Sequence, residues 1–297
     1  MADYFTASRR WNLAHGCQHA SVGCGGCWAE RMATRHRDAS ARGGHWTDEV
    51  VLFPERLGQP LHWRKPALVC VQFMGDLFYE RVLFEYVAAV FGVMAACLQH
   101  TFLLLTKRPE RMLEFHRWLD ERGGLGKYLR SEAASGAVRV LFASGSRFEL
   151  YRGRKVRSSQ DAWARVLNAA ACGPSGENVW AGISAENQTE LEKRWRVLSQ
   201  VPAAHHWWSL EPLLGPLDFS GDVGAGVAPA FVAVGPETGP GRRPCRVEWL
   251  QSVVDQCAGA GVACHVKAVP VDGRISHDPA EWPESLRCRQ WPEVFNG

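Results

Sequence analysis

The sequence predicts an α/β protein built as a (β/α) barrel with one insertion. Short apolar runs recur along it, segments of helical period separate them, and no glycine-rich dinucleotide fingerprint accompanies the alternation. Strand–helix alternation repeated six or seven times without that fingerprint favours a barrel over a doubly wound sheet.

The expected elements follow in chain order. A helix is predicted over Trp28–Arg37, beyond a loop rich in glycine and serine. Leu68–Met74 reads as a strand, followed by a helix over Glu85–Leu98, a strand over Thr101–Thr106 and a helix over Glu110–Glu121. Val138–Ala143 and Asn178–Ile183 are the next apolar runs. Thr189–Ser199 has helical period, with Thr189 and Glu192 spaced as a capping box. His205–Leu210 and Ala230–Val234 read as strands. A helix over Val247–Ala258 is stopped by Gly259-Ala-Gly261, and Val262–Ala268 is the last strand. Runs of this length, rich in β-branched residues and bounded by turn signals, suit parallel strands buried on both faces. From about Gly123 to Gly176 the rhythm breaks around Arg152-Gly-Arg-Lys-Val-Arg157. This segment is expected as an insertion between barrel units, either a solvated excursion or a lid with an anion contact.

The 297 residues are expected to form one domain with a substantial core. A net charge of +3 is too small to argue for nucleic acid by itself. No apolar run has the length of a membrane span, and residues 1–10 lack the apolar segment of a secretory signal. A cytoplasmic location without membrane contact is the expectation. There, ten cysteines are thiols, metal ligands or reactive groups rather than disulfides.

The most informative stretch is Arg10-Trp-Asn-Leu-Ala-His-Gly-Cys-Gln-His-Ala-Ser-Val-Gly-Cys-Gly-Gly-Cys-Trp-Ala-Glu30. Cys17, Cys24 and Cys27 sit in a loop that feeds a helix N-terminus, whose partial positive charge suits anionic thiolates. Structural zinc wants four ligands, commonly two Cys-x-x-Cys pairs. Only one pair is present, with His15 or His19 as a fourth candidate. A redox Cys-x-x-Cys is a further reading, less natural with Gly25-Gly26 inside and an additional cysteine upstream. Three thiolates also suit a four-iron cluster with one iron left open. The spacing Cys-x6-Cys-x2-Cys does not by itself decide among these.

Further motifs carry a resemblance along almost the whole chain. They include Trp11-Asn12, Gly23-Cys-Gly-Gly-Cys-Trp-Ala-Glu30, Phe73-Met-Gly-Asp-Leu-Phe78 and Leu105-Thr-Lys-Arg-Pro-Glu-Arg-Met112. Later come Asn178-Val-Trp-Ala-Gly-Ile-Ser-Ala-Glu-Asn-Gln188, Ser209-Leu-Glu-Pro-Leu-Leu-Gly-Pro216 and Val234-Gly-Pro-Glu-Thr-Gly-Pro240, then Asp278-Pro-Ala-Glu-Trp-Pro283. The chain resembles a branch of the radical SAM superfamily, a phage and bacterial three-cysteine-motif family of unknown function distantly similar to spore photoproduct lyase. The resemblance implies a partial (β/α) TIM-like barrel of the radical SAM type, with a [4Fe-4S] cluster on Cys17, Cys24 and Cys27 at the strand C-terminal mouth. It also implies S-adenosylmethionine cleaved to a 5′-deoxyadenosyl radical, and a flavodoxin- or ferredoxin-type electron donor. A nucleoside, nucleotide or nucleic-acid substrate is expected by the same analogy.

Asp76, Lys107, Ser184, Glu186, Glu211, Glu237 and Lys267 each fall at or just beyond a strand-like run, where a parallel barrel builds its chemistry. By charge, Asp76 and Glu211 are assigned to the ammonium or ribose hydroxyls of S-adenosylmethionine. Lys107 and Lys267 are assigned to its carboxylate or to a substrate phosphate, and the Ser184–Glu186 turn to ribose. Two departures from the family pattern stand out. Trp28 replaces the usual tyrosine, keeping an aromatic surface for the cofactor, and Pro236 removes a backbone donor. Cys245, Cys264 and Cys288 stand where relatives are expected to lack cysteine. They are small apolar substitutions, extra ligands or sulfur donors for carbon–sulfur bond formation, with Cys264 the best candidate beside catalytic Glu211 and Lys267. The rival expectation is a non-catalytic nucleic-acid-binding protein with structural zinc on the same cysteines.

Overall fold

The computed structural model describes residues 9–36, 40–131, 176–221 and 228–292. Its centre is one sheet of seven strands: β1 (Arg9–Trp11), β2 (Ala67–Val71), β3 (His100–Thr106), β4 (Val179–Ser184), β5 (His205–Leu210), β6 (Phe231–Val234) and β7 (Ala263–Val266). Neighbours in space follow the order of the chain, and every pair is parallel. Parallel neighbours in sequential order need a crossover each time, so the connections stack helices on one face and curl the sheet into a half-barrel.

Six expected strands and five expected helices lie within two or three residues of their predicted places. The helices are α1 (Trp28–Arg35), α2 (Phe84–Ala95), α3 (Pro109–Asp120), α5 (Gln188–Leu198) and α6 (Val247–Ala260); a short α4 (Leu125–Arg130) precedes the rest of the insertion. Val138–Ala143 and Arg152–Arg157 lie outside the described residues. Two details differ from expectation. The cap of α5 is Asn187, whose Oδ1 accepts from Glu190 N at 3.0 Å, so Thr189 lies inside the first turn. β1 carries no apolar run, since two of its three residues are exposed. As expected, α6 stops where Gly261 turns left-handed, at φ +68°.

The two faces of the sheet bury different sets. Outward residues such as Phe102, Leu104, Ile183, Trp208 and Val232 join the helices in the main core. Inward, Leu103, Trp180, Trp207 and Phe231 form a separate apolar floor. Trp207 secures that floor. Its indole reaches from β5 across β4 and donates from Nε1 to Leu104 O on β3 at 2.9 Å. The bridge passes over Gly182, where a Cβ would stand 2.3 Å from Nε1. Asn178 closes the opposite end, donating from Nδ2 to the carbonyls of Met94, Cys97 and His100. The Met94 and Cys97 carbonyls, in the turns that end α2, also accept from Cys97 N and His100 N. Among the described residues, no helix is long and apolar enough to cross a membrane.

Because the indole leaves no room at Gly182, Gly182→Ala is expected to destabilise the fold by about 1–3 kcal/mol. Urea unfolding measures it; an unchanged midpoint would show that the Trp207 bridge adapts freely.

Candidate functional site at the strand C-terminal mouth

A cavity of about 640 Å³ opens where the strands end. In a parallel sheet the C-terminal strand ends and the loops after them converge on one side, which collects side chains distant in sequence. Cys17, Cys24 and Cys27 form part of its wall, together with Trp28, Asp76, Lys107, Ser184, Glu211, Glu237 and Lys267.

The cysteine loop is anchored at its start by β2. Gln72 is buried, accepts from Leu13 N and Ala14 N at 2.6 and 2.8 Å, and donates back to Ala14 O. Asn12 Oδ1 accepts from Met74 N at 3.1 Å. Beyond Gly16 the chain makes a 3₁₀ turn over Val22–Cys24, and Cys27 is the residue before the first turn of α1. Cys24 N donates to Ser21 O, and Cys27 N to Cys24 O, both at 3.0 Å. Two glycines let this loop press onto the mouth. A Cβ at Gly26 would lie 2.1 Å from Glu237 Oε1, and one at Gly23 would lie 2.6 Å from both Glu186 Cδ and Lys107 Nζ.

Buried charge holds the loop in place. Glu186 is fully buried; its Oε1 accepts from Gly23 N at 3.0 Å, while Oε2 meets Lys107 Nζ at 3.2 Å and Arg194 Nη1 at 3.1 Å. Burial works to raise its pKa, but Lys107, Arg194 and the Gly23 N–H outweigh burial and hold it down at about 2. Asp76 is equally occupied. Its oxygens accept from Phe78 N, Thr106 Oγ1, Lys107 N and Arg108 Nη1 at 2.8–3.4 Å. Glu211 pairs with Lys267 at 2.8 Å, and the Arg243 side chain holds Glu237 below the usual carboxylate range. Burial, seconded by Asp76, pushes the Cys17 thiol up to about 12, and burial raises Cys27 as well. Loss of the proton from thiols so placed is unfavourable without positive charge close by.

Three soft thiols share one wall, a donor set of the kind that an iron–sulfur cluster takes when three irons each bind one thiolate and a fourth iron is left without a protein ligand. Among the described residues, no three His, Cys, Asp or Glu side chains converge on a single-ion site. His19 is engaged with Glu30 at 3.1 Å, and the ring of His15 lies edge-on to Phe53.

The mouth gathers most of the predicted residues; Glu186 and the three later cysteines, Cys245, Cys264 and Cys288, are exceptions. Glu186 turns away from the cavity into the interior, where it acts as the clamp of the loop rather than as part of the lining. Cys264 also lies outside the lining, on the outward face of β7, beside Cys257 and Cys288. Cys245 likewise packs against the main core. Sequence reasoning passed over Arg108, Arg194, Gln72 and Thr106. For Arg108 and Thr106 the signal was available, since both stand in Leu105-Thr-Lys-Arg-Pro109 immediately after a strand.

Glu186→Gln leaves Lys107 and Arg194 without their shared carboxylate and is expected to cost about 3–5 kcal/mol at neutral pH. A carboxyl held near 2 when folded and near 4.5 when unfolded stabilises the native state above 4.5 and loses that effect as pH falls toward 2. The urea midpoints of wild type and E186Q are therefore expected to converge from pH 6 to pH 3. A constant gap would remove the charge from the account.

No curated protein and no solved structure matches the chain. A family model described as a protein of unknown function, DUF5131, matches residues 4–277, and the chain belongs to that family.

Proposed function

We propose that the protein is a radical S-adenosylmethionine enzyme acting on a nucleoside, nucleotide or nucleic-acid substrate. The observation that carries this reading is the placing of Cys17, Cys24 and Cys27 on one wall of a strand-end cavity that also holds the Glu211–Lys267 pair. When bound, a [4Fe-4S] cluster on those thiolates supplies one electron to the sulfonium of S-adenosylmethionine, releasing methionine and a 5′-deoxyadenosyl radical.

The remaining roles belong to the chain itself. Glu211 and Lys267 are partly exposed to the cavity and opposite in charge, so they complement the ammonium and carboxylate of an amino acid. Ser184 Oγ donates to Glu211 O at 3.0 Å, and Ser209 Oγ donates to Glu211 Oε2 at 3.1 Å, which fixes that carboxylate. Asp76 is occupied by internal donors, and its role is to order the turn after β2 and the end of β3. The apolar floor beneath excludes water from the reacting centre.

The substrate class draws on charge and aromaticity. The carboxylates of Asp76, Glu211 and Glu237 are matched by Arg108, Lys267 and Arg243. Arg10 and Arg31 add positive charge to the wall, while Trp28, 46% exposed, stands with Trp46 and Phe73. Aromatic faces interleaved with arginine suit stacked bases and phosphates. Sulfur insertion draws no support from Cys245, Cys264 or Cys288, none of which lines the cavity.

Anaerobic reconstitution with iron and sulfide tests the proposal. The expected product is a brown protein with about four irons per chain that forms 5′-deoxyadenosine from S-adenosylmethionine after reduction. Cys24→Ala is expected to abolish product, and Glu211→Ala to lower it at least tenfold, about 1.4 kcal/mol. A colourless protein retaining zinc alone would favour the non-catalytic nucleic-acid-binding reading.

A further inference from the structure

We propose that Arg108 sets the reduction potential of the site by donating a hydrogen bond to Cys17. The inference rests on the reading of Cys17, Cys24 and Cys27 as cluster ligands.

The Nη1 of Arg108 lies 3.7 Å from Cys17 Sγ and 3.4 Å from Asp76 Oδ2. Its Nη2 donates to Gln18 O at 2.8 Å, its Nε faces Glu80 at 3.3 Å, and its guanidinium stacks over the Tyr79 ring. Only 9% of the residue is exposed. The cation is thus aimed by four partners, at a sulfur in a partly dehydrated wall. Neither Cys24 nor Cys27 has an arginine donor of this kind among the described hydrogen bonds.

The electronic consequence follows from charge. One electron from a flavodoxin- or ferredoxin-type donor lowers the cluster core from 2+ to 1+, and no bond to Cys17 forms or breaks. A donor into the ligand sulfur withdraws electron density, and a nearby positive charge favours the more negative state. Arg108 therefore raises the potential and eases reduction, offsetting the Asp76 carboxylate that borders the same sulfur. Asp76 keeps Phe78 N, Thr106 Oγ1 and Lys107 N as donors without Arg108, so its carboxylate stays satisfied in a variant.

A potentiometric titration followed by electron paramagnetic resonance tests this on reconstituted wild type, R108Q and R108K, without S-adenosylmethionine. R108Q is expected to titrate at a more negative potential than wild type. R108K, which keeps charge but loses the forked geometry, is expected in between. A residue that merely supports the loop would lower cluster occupancy and leave the potential of the occupied fraction unchanged. A loaded R108Q at the wild-type potential overturns the proposal; if R108Q does not load, an unchanged potential in R108K does so. A wild-type chain that takes up no iron and sulfide defeats the enzyme reading itself, and this one with it.

Discussion

Glu186 stands at the end of β4 with no surface in water, and three groups from separate parts of the chain converge on it. They are the Gly23 amide of the cysteine loop, Lys107 after β3 and Arg194 on α5. A carboxylate so buried is tolerated only with its charge met and both oxygens bonded. The requirement runs both ways. Glu186 must have the loop amide and the two cations, and the loop, rich in glycine and poor in apolar contacts, must have Glu186. The position of the cysteines is therefore set by a charge balance inside the barrel more than by packing within the loop.

The mouth repeats that design at lower burial. Asp76 with Arg108 and Glu211 with Lys267 are each an acid beyond one strand end met by a base beyond another, and Glu237 is met by Arg243 of its own loop. The pairs differ in what they leave free. Asp76 is filled by backbone and hydroxyl donors, so it organises the turns around it. Glu211 and Lys267 retain partial exposure on the cavity side, so they are available to exchange each other for a ligand's own charges. Neutralising the acids internally leaves the wall with a surplus of arginine, which suits an anionic partner without a large net charge on the whole molecule.

Much of this was legible in the sequence, for a physical reason. Parallel strands buried on both faces must be continuous apolar runs, so β2 to β7 announced themselves, and the polar residues beyond each run fell at the mouth. β1 did not, because an edge strand of three residues with two exposed has no such run. The parity of Cys264 was also hidden. Alternation along β7 sends His265 inward against Trp291 and Cys264 outward to α6, and only the register of the sheet decides which. The direction of Glu186 was not legible either, because a strand-end position says nothing about whether its side chain faces the cavity or the interior. Arg108 went unnoticed for a related reason: Cys17 is 91 residues away from it in the chain.

These features bear together on how the site manages charge. Ionising three thiols inside a half-buried wall is unfavourable unless positive charge is already in place, and the raised Cys17 and Cys27 thiols express that cost. The protein offsets part of it in advance. Arg108 is aimed at Cys17, Arg243 reaches Val22 O in the turn before Cys24, and the amino end of α1 begins directly after Cys27. Cys17 is thus met directly by a cation, while the turn that carries Cys24 and the helix that follows Cys27 bring positive potential nearby. A loop stapled by Glu186, with Arg108 on one cysteine and positive potential near the turns that carry the other two, would suit the multi-thiolate assembly proposed above, whereas a simple disulfide or a buried thiol would require none of these groups.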